Sequence, residues 1–381
     1  MSATSAAPFR ELARCGRARA GDLSVRGRTL ATPAFMPVAT YGSVKGVAPH
    51  QLRDVGTRIV VANACHLHDR PGAGVVRDLG GLHRFMNWDG LVLTDSGGFQ
   101  VFSMLDIAQV HEDGVRFRSP VDGRPLQLGP REAVEAQLDL DSDITMAFDH
   151  CPPLPAPPEL LEQSVRRTTR WARIAREHHA RKAVRGQALF GIVQGGLDDR
   201  LRERSAGDLV PLDFDGYAIG GLSVGEPSAA LQAALGRYAG LLPEQRVRYV
   251  MGIGRPQDVL VAIASGFDIF DSVFPTRNGR HGTVFTPHGT LNLRNTRLRT
   301  EPGPIEAGCD CPACSNWSVG ALRHLLVAAD PLARTLCALH NLRFMHRLVA
   351  AAREAIVEAS FDAFLARHVE PASAPGAQRG V

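Results

Sequence analysis

LFGIVQG (189–195), GYAIGG (216–221), RYVMGIG (248–254) and FDIFDSV (267–273) are four short, almost uninterrupted apolar runs, each closing at or near a polar residue or glycine. Continuous apolarity over so few residues marks a parallel strand buried on both faces; strict alternation would mark a strand with one wet face. Helical patterns lie between them, at 197–208, 228–242 and 256–266, and Pro256 suits a first helical turn because its φ is already helical. Toward the N-terminus TPAFMPVAT (32–40), RIVVAN (58–63), LVLTD (91–95) and ITMAFD (144–149) have the same character, and a further helical pattern occupies 158–185. Eight strands alternating with helices over roughly 250 residues have the count and size of a (β/α)8 TIM barrel of the α/β class. An open doubly wound sheet is the competing arrangement; eight runs, with no G-x-G-x-x-G after the first, count against it.

The whole chain is consistent with that reading. Its 381 residues are 44% hydrophobic and 22% charged, an ordinary globular composition. No apolar stretch approaches the roughly 18 residues of a membrane span, and the first twenty residues lack the apolar core of a secretory signal, so a cytoplasmic protein is expected. A net charge of +4 argues neither for nor against nucleic acid. Beyond the N-terminal region, two stretches break the strand–helix rhythm: residues 101–132 and the sequence after Asp271. Residues 102–130, with a turn at Asp122–Gly123, predict an inserted hairpin, and TVFTPHGTLNLRN (283–295) predicts a second one around His288–Gly289. The expected division is a barrel core over 1–290, a metal-binding subdomain with closing helices over 291–367, and a disordered Pro/Ala/Gly-rich tail over 368–381.

In such barrels the chemistry sits at the C-terminal ends of the strands. The residues at or near those ends are Asn63, Asp95, Asp149, Gln194, Gly220, Gly221, Gly254 and Asp271. One terminal Asp is commonly a helix cap. Three on one rim, with two amides, point instead to a polar site. Further on, GCDCPACSN places Cys309, Cys311 and Cys314 in C-x-C-x2-C spacing. Thiolates from one short loop can reach one Zn2+, which wants four N or S ligands. His324, Cys337, His340 and His346 are the candidates for the fourth, and spacing does not choose between His324 and His340. Three buried cysteines without metal are the plainer alternative. Between Ser272 and Thr300 there is no Asp or Glu but there are five arginines, including Arg277 and Arg280, as suits a surface that meets phosphates. A solvated basic loop is the bland alternative.

Taken together, NWDGLVLTDSGGFQVFS, GIVQGG, GYAIGGLSVGEP, MGIG, FDSVFPTRNGRHG and CDCPAC with a later HN closely resemble the tRNA-guanine transglycosylases, in order, over residues 32–347. The resemblance implies a TIM barrel with a structural zinc subdomain that exchanges guanine in tRNA for a 7-deazaguanine without ATP or a redox cofactor. For the bacterial branch it implies 7-aminomethyl-7-deazaguanine, the wobble guanine of a U-G-U anticodon loop, and a homodimer. By motif position, Asp271 matches the nucleophile and Asp95 the general acid/base. Asp149 matches the guanine-reading carboxylate, Gln194 and Gly221 the O6 donors, and Ser96 a further polar contact. Phe99 and Met251 match the stacking pair. The Leu222 carbonyl would meet the exocyclic amine, with Glu226 behind it. Val224 stands where members taking a bulkier base tend to have glycine. Arg277 and Arg280 would hold the anticodon loop, and His340 would join Cys309, Cys311 and Cys314 on one zinc ion.

Four positions depart from the family pattern. Cys65 replaces an aromatic, His150 a glutamate, His281 an asparagine, and Ala321 an aromatic beyond the cysteines. A non-catalytic tRNA-binding partner subunit is the competing function. It could dispense with Asp95, Asp149, Gln194 and Asp271, all of which are retained here.

Overall fold

The computed structural model describes residues 7–98, 108–183, 185–223 and 225–369. Among the described residues, eight strands close a parallel barrel: Ala34–Ala39, Ile59–Ala62, Leu91–Thr94, Ile144–Met146, Ala188–Val193, Gly216–Ile219, Val247–Val250 and Ile269–Ser272, in chain order around the ring. The last strand pairs with the first, Asp271 opposite Met36 and Ser272 opposite Pro37. This is the expected barrel, and closure removes the open-sheet alternative. The strands read as continuous apolar runs because both faces are covered. Met36, Val61, Leu93, Met146 and Ile192 fill the interior. Their neighbours Val60, Val92, Leu189 and Val193 face the surrounding helices and pack with Leu209, Leu235 and Ile263.

Both breaks in the rhythm are separate sheets. The inserted segment has three strands, Ala108–Val110, Val115–Arg118 and Pro125–Leu128, where a two-stranded hairpin was expected. The Asp122–Gly123 turn joins the second and third. A second Asp-Gly pair, Asp113–Gly114, lies in the tight turn before the second, where His111 N donates to Gly114 O at 2.8 Å. The expected hairpin at His288–Gly289 is present, pairing Thr283–Thr286 with Gly289–Asn292. At the N-terminus Phe9–Cys15, Ala18–Val25 and Arg28–Thr32 form a third small sheet. It is tied to the barrel by a fully buried bidentate pair, Arg19 Nε to Asp268 Oδ1 at 2.8 Å and Nη2 to Oδ2 at 2.5 Å. The tail beyond residue 369 lies outside the described residues.

The element that positions the basic stretch is the helix Phe274–His281, which leaves the barrel just after Asp271. It lies backbone against backbone on the long helix Pro331–Val357. A Cβ at Gly279 would sit 2.6 Å from Ala338 N and 2.7 Å from Ala338 Cα. Asn341 completes the joint: it donates to the carbonyls of Pro275 at 2.9 Å and Thr283 at 3.0 Å, and accepts from Phe285 N at 2.9 Å. Gly279→Ala should therefore force the two helices apart and cost about 1–3 kcal/mol, as overpacking does. Denaturant unfolding of the variant against the parent measures this, and an unchanged midpoint would contradict the close contact.

Candidate active site and metal centre

The C-terminal strand ends gather the polar residues on one rim, as the alternation of strand and helix requires. Asp95 follows the strand Leu91–Thr94. Asn63, at the next strand end, donates from Nδ2 to Asp95 Oδ2 at 2.8 Å, and Ala64 N donates to Asp95 Oδ1 at 3.0 Å. Asn63 is itself held by capping the following helix, its Oδ1 accepting from His66 N at 2.9 Å. Burial pushes the Asp95 carboxyl up to about 7, against the backbone donors of Ala64 and Gly97, with the nearby charges of Asp271 and Asp149 adding to the rise.

Asp149 stands three residues past the strand Ile144–Met146 and is buried. Ser96 Oγ donates to its Oδ1 at 2.7 Å and Gln194 Nε2 to its Oδ2 at 2.7 Å. Burial raises this carboxyl too, and those two donors oppose the rise. A carboxylate oxygen can accept more than one donor, and the Gln194 amide and the Gly221 N–H also reach the Cys151 thiol. Gly221 lies against the same amide. Its φ of +64° is left-handed, and a Cβ there would fall 2.6 Å from Gln194 Oε1.

Asp271 ends the barrel on the closing strand Ile269–Ser272. Tyr249 Oη donates to its Oδ1 at 2.5 Å and Gly252 N donates to the same oxygen at 2.9 Å. Burial raises this carboxyl, and the tyrosine and backbone donors oppose it. Met251 lies between those two donor residues and is partly buried on the inner cluster. Met251 N donates to Ile219 O at 3.2 Å, which sets Met251 beside the Gly220–Gly221 turn. Leu222 is buried, and its carbonyl lies 3.8 Å from where a Cβ of Gly252 would be. Glu226 accepts from Ser223 N, so it braces the backbone next to that carbonyl.

Arg277 is exposed and Arg280 half-buried on the helix Phe274–His281. Burial, then repulsion from Arg277, pushes the Arg280 guanidinium below its ordinary range, as expected where cations crowd without a carboxylate. Neither forms an ion pair among the described residues. Phe99 and Val224 lie outside the described residues.

Sequence reasoning missed three contributors. Tyr249 was readable only as part of an apolar run, yet it sits two residues before Met251, on the same strand face. Asn63 was seen on the rim but given no work. Arg202 is fully buried and donates to the carbonyls of Val193 at 2.7 Å, Gly196 at 2.9 Å and Gly220 at 2.8 Å, bracing the two strand ends that carry Gln194 and Gly221. Cys65 and Cys151 are buried with thiols pushed up to about 12, so neither is a nucleophile at neutral pH.

The cysteine cluster closes on one histidine. The Sγ atoms of Cys309, Cys311 and Cys314 lie 3.9, 3.5 and 3.3 Å from His340 Nδ1, and all four ligand atoms lie within 4.8 Å of one another. That donor set fits one tetrahedral ion with metal–sulfur distances of about 2.3 Å. His340 Nε2 donates to Phe285 O at 2.7 Å, which orients the ring and leaves Nδ1 for a metal. His324 is exposed on another helix, and His346 is committed to Thr57 Oγ1 at 2.9 Å. Cys337 is buried one turn before His340 but outside the quartet. No helix among the described residues is long and apolar enough to cross a membrane.

A closed barrel with three donor-held carboxylates on its C-terminal rim, beside a Cys3His cluster able to hold a metal, defines a (β/α)8 barrel protein with a polar rim site. The sequence pattern of the family described as queuine tRNA-ribosyltransferase matches residues 14–373. Among relatives of that name, one from Acinetobacter baylyi is 43% identical over 94% of this chain and 92% of its own length. One from Symbiobacterium thermophilum is 46% identical over 95% and 90%, and one from Thermus thermophilus 48% over 93% and 92%. The chain belongs to the queuine tRNA-ribosyltransferase family, and is an enzyme that transfers pentosyl groups.

Because Asp271 contributes to the rise at Asp95, removing its charge should lower the Asp95 titration. Carbon-detected NMR of the carboxyls should show Asp95 titrating near 7 and moving down in Asp271→Asn. An unchanged midpoint would mean that the two carboxylates do not share a field.

Proposed function

We propose that this chain is a tRNA-guanine transglycosylase. It replaces the wobble guanine of tRNAs carrying U-G-U in the anticodon loop with 7-aminomethyl-7-deazaguanine, on the route to queuosine, and it works in the cytoplasm. The observation that carries the reading is the difference between the three rim carboxylates. Tyr249 Oη and Gly252 N anchor Asp271 through Oδ1, and Oδ2 is the oxygen we assign to the reacting centre. Asp95 is held near 7, where a carboxyl both gives and takes a proton. Asp149 is buried and presents acceptors to a donor pair such as guanine N1–H and N2–H.

In the first displacement Asp271 Oδ2 attacks the ribose C1′ as the C1′–N9 bond breaks. The electron pair leaves on guanine, which takes a proton from Asp95, and a covalent ribosyl–Asp271 tRNA remains. In the second, N9 of the incoming base attacks C1′, its proton passes to Asp95, and Asp271 leaves as a carboxylate. Two inversions retain configuration. Gln194 and Gly221 N–H meet the base O6, Ser96 steadies Asp149, and Met251 and Phe99 stack on the ring. The Leu222 carbonyl, braced through Glu226, accepts from the exocyclic amine. Arg277 and Arg280 hold anticodon phosphates. Cys309, Cys311, Cys314 and His340 hold one structural Zn2+, which when bound fixes the helix Pro331–Val357 to the cysteine loop. A second copy of the chain is the expected partner, supported by exposed Val327 and Leu332 beside that subdomain.

Radiolabelled guanine should enter an unmodified tRNA with U-G-U in its anticodon loop and not one with the wobble base changed. Asp271→Asn should lose at least about 10³-fold in exchange, the order of removing a member of a catalytic set. Equal exchange by parent and variant would refute Asp271 as the nucleophile, and none by either would favour a tRNA-binding partner subunit. Elemental analysis should find one zinc per chain, and Cys311→Ser should lose it. A full zinc complement in that variant would refute the ligand set.

A further inference from the structure

His150 follows the proposed guanine reader directly, and its ring is held from outside the barrel. Arg167 Nη1 lies 2.9 Å from His150 Nδ1. A guanidinium only donates, so Nδ1 is the acceptor and the imidazole is neutral. Arg167 is only 13% exposed, and among the described residues the one carboxylate it touches is Glu112, Nη2 to Oε1 at 2.6 Å. Its Nε is buried without a partner among the described residues. Glu112 belongs to the inserted sheet, in the turn after Ala108–Val110, and is held there by three further bonds, one of them from Arg170 Nη2 to its carbonyl. Its second carboxylate oxygen meets Arg170 Nη1 at 2.6 Å, and its carbonyl accepts from Trp171 Nε1 at 2.9 Å.

The rest of the loop is gripped by the same helix, Pro158–Lys182. His150 N donates to Thr168 Oγ1 at 3.0 Å, and Phe148 stacks on Trp171 at 4.9 Å between centroids. Residues on both sides of Asp149 are therefore set by helix positions 167, 168 and 171. A carboxylate at position 150 would hold the Arg167 charge by itself. A neutral imidazole leaves that charge to Glu112.

We propose that Glu112 and Arg167 are positioning residues for base recognition: Glu112 fixes Arg167, Arg167 fixes His150, and His150 fixes the adjacent Asp149. The proposal rests on Asp149 as the guanine reader. Small displacements of a reading carboxylate weaken both of its bonds to the base, so the chain acts on affinity for the free base more than on the chemical step.

The test is steady-state guanine exchange with separate KM values for guanine and tRNA. Glu112→Gln should raise KM for guanine about fivefold, the scale of one partly exposed ion pair, with kcat and KM for tRNA within about twofold. Adding His150→Glu supplies a new carboxylate to Arg167 and should return KM to within about twofold of the parent. In Arg167→Leu the KM should rise and His150→Glu should not restore it. An unchanged KM in Glu112→Gln, or a joint loss in KM and kcat that His150→Glu leaves uncorrected, overturns the positioning chain. Asp149→Asn separates the two ideas, because unimpaired exchange in that variant would remove the guanine reader itself.

Discussion

Desolvating three carboxylates on one barrel rim is the constraint that organises this structure. The closing pairing of Ile269–Ser272 with Ala34–Ala39 brings Asp271 into the ring that already holds Asp95 and Asp149. Desolvation raises all three, of which Asp149 is buried and Asp95 and Asp271 partly so, and desolvated charges need donors. The fold supplies a different donor set to each. Asp95 has an amide and a backbone N–H from the neighbouring strand end, Asp149 a hydroxyl and an amide, Asp271 a phenol and a glycine N–H. In the proposed reading these three chemically identical side chains serve as a proton carrier, a fixed acceptor and a nucleophile. Environment rather than residue type divides the labour.

The same reasoning explains what the sequence could and could not show. Strand runs and rim positions were legible because a barrel writes burial on both faces directly into composition. Asp95, Asp149, Gln194 and Asp271 were legible because they break those runs at their ends. Tyr249 was not, since an interior tyrosine looks like core until its hydroxyl is seen to point at a carboxylate. Arg202 was hidden for the opposite reason: an arginine in a charged helical segment reads as surface, whereas here three carbonyls take it wholly inside. The third strand of the inserted sheet was marked by Asp113–Gly114, which a single expected turn had left unused. The fourth metal ligand was undecidable by spacing, because only the docking of the helix Pro331–Val357 turns His340 inward and leaves His324 in solvent.

That helix also links the metal centre to the rim. His340 faces the quartet and Asn341, its neighbour, carries three hydrogen bonds to Pro275, Thr283 and Phe285. The first of these lies on the helix that bears Arg277 and Arg280. A metal bound by the quartet would thus fix the arginines relative to Asp271 through two consecutive residues of one helix. The absence of a side chain at Gly279 lets the backbones meet, so the linkage is rigid where a looser contact would let the cations drift.

The departures at positions 65 and 150 have a common physical answer in the inserted sheet. Cys65, smaller than the aromatic found at that place in the pattern, packs with Val115, Phe117 and Leu128 of the sheet and with Phe148 and Trp171. His150, neutral where the pattern has a carboxylate, leaves Arg167 to the same sheet's Glu112. One substitution removes volume and the other removes charge. The sheet returns apolar contact to the first and a carboxylate to the second, and both meet at Trp171, which stacks on Phe148 just before Asp149. An insertion that lies outside the barrel is therefore part of what holds the loop that carries Asp149, and the two departures read as one adjustment of a single packing unit rather than as separate losses.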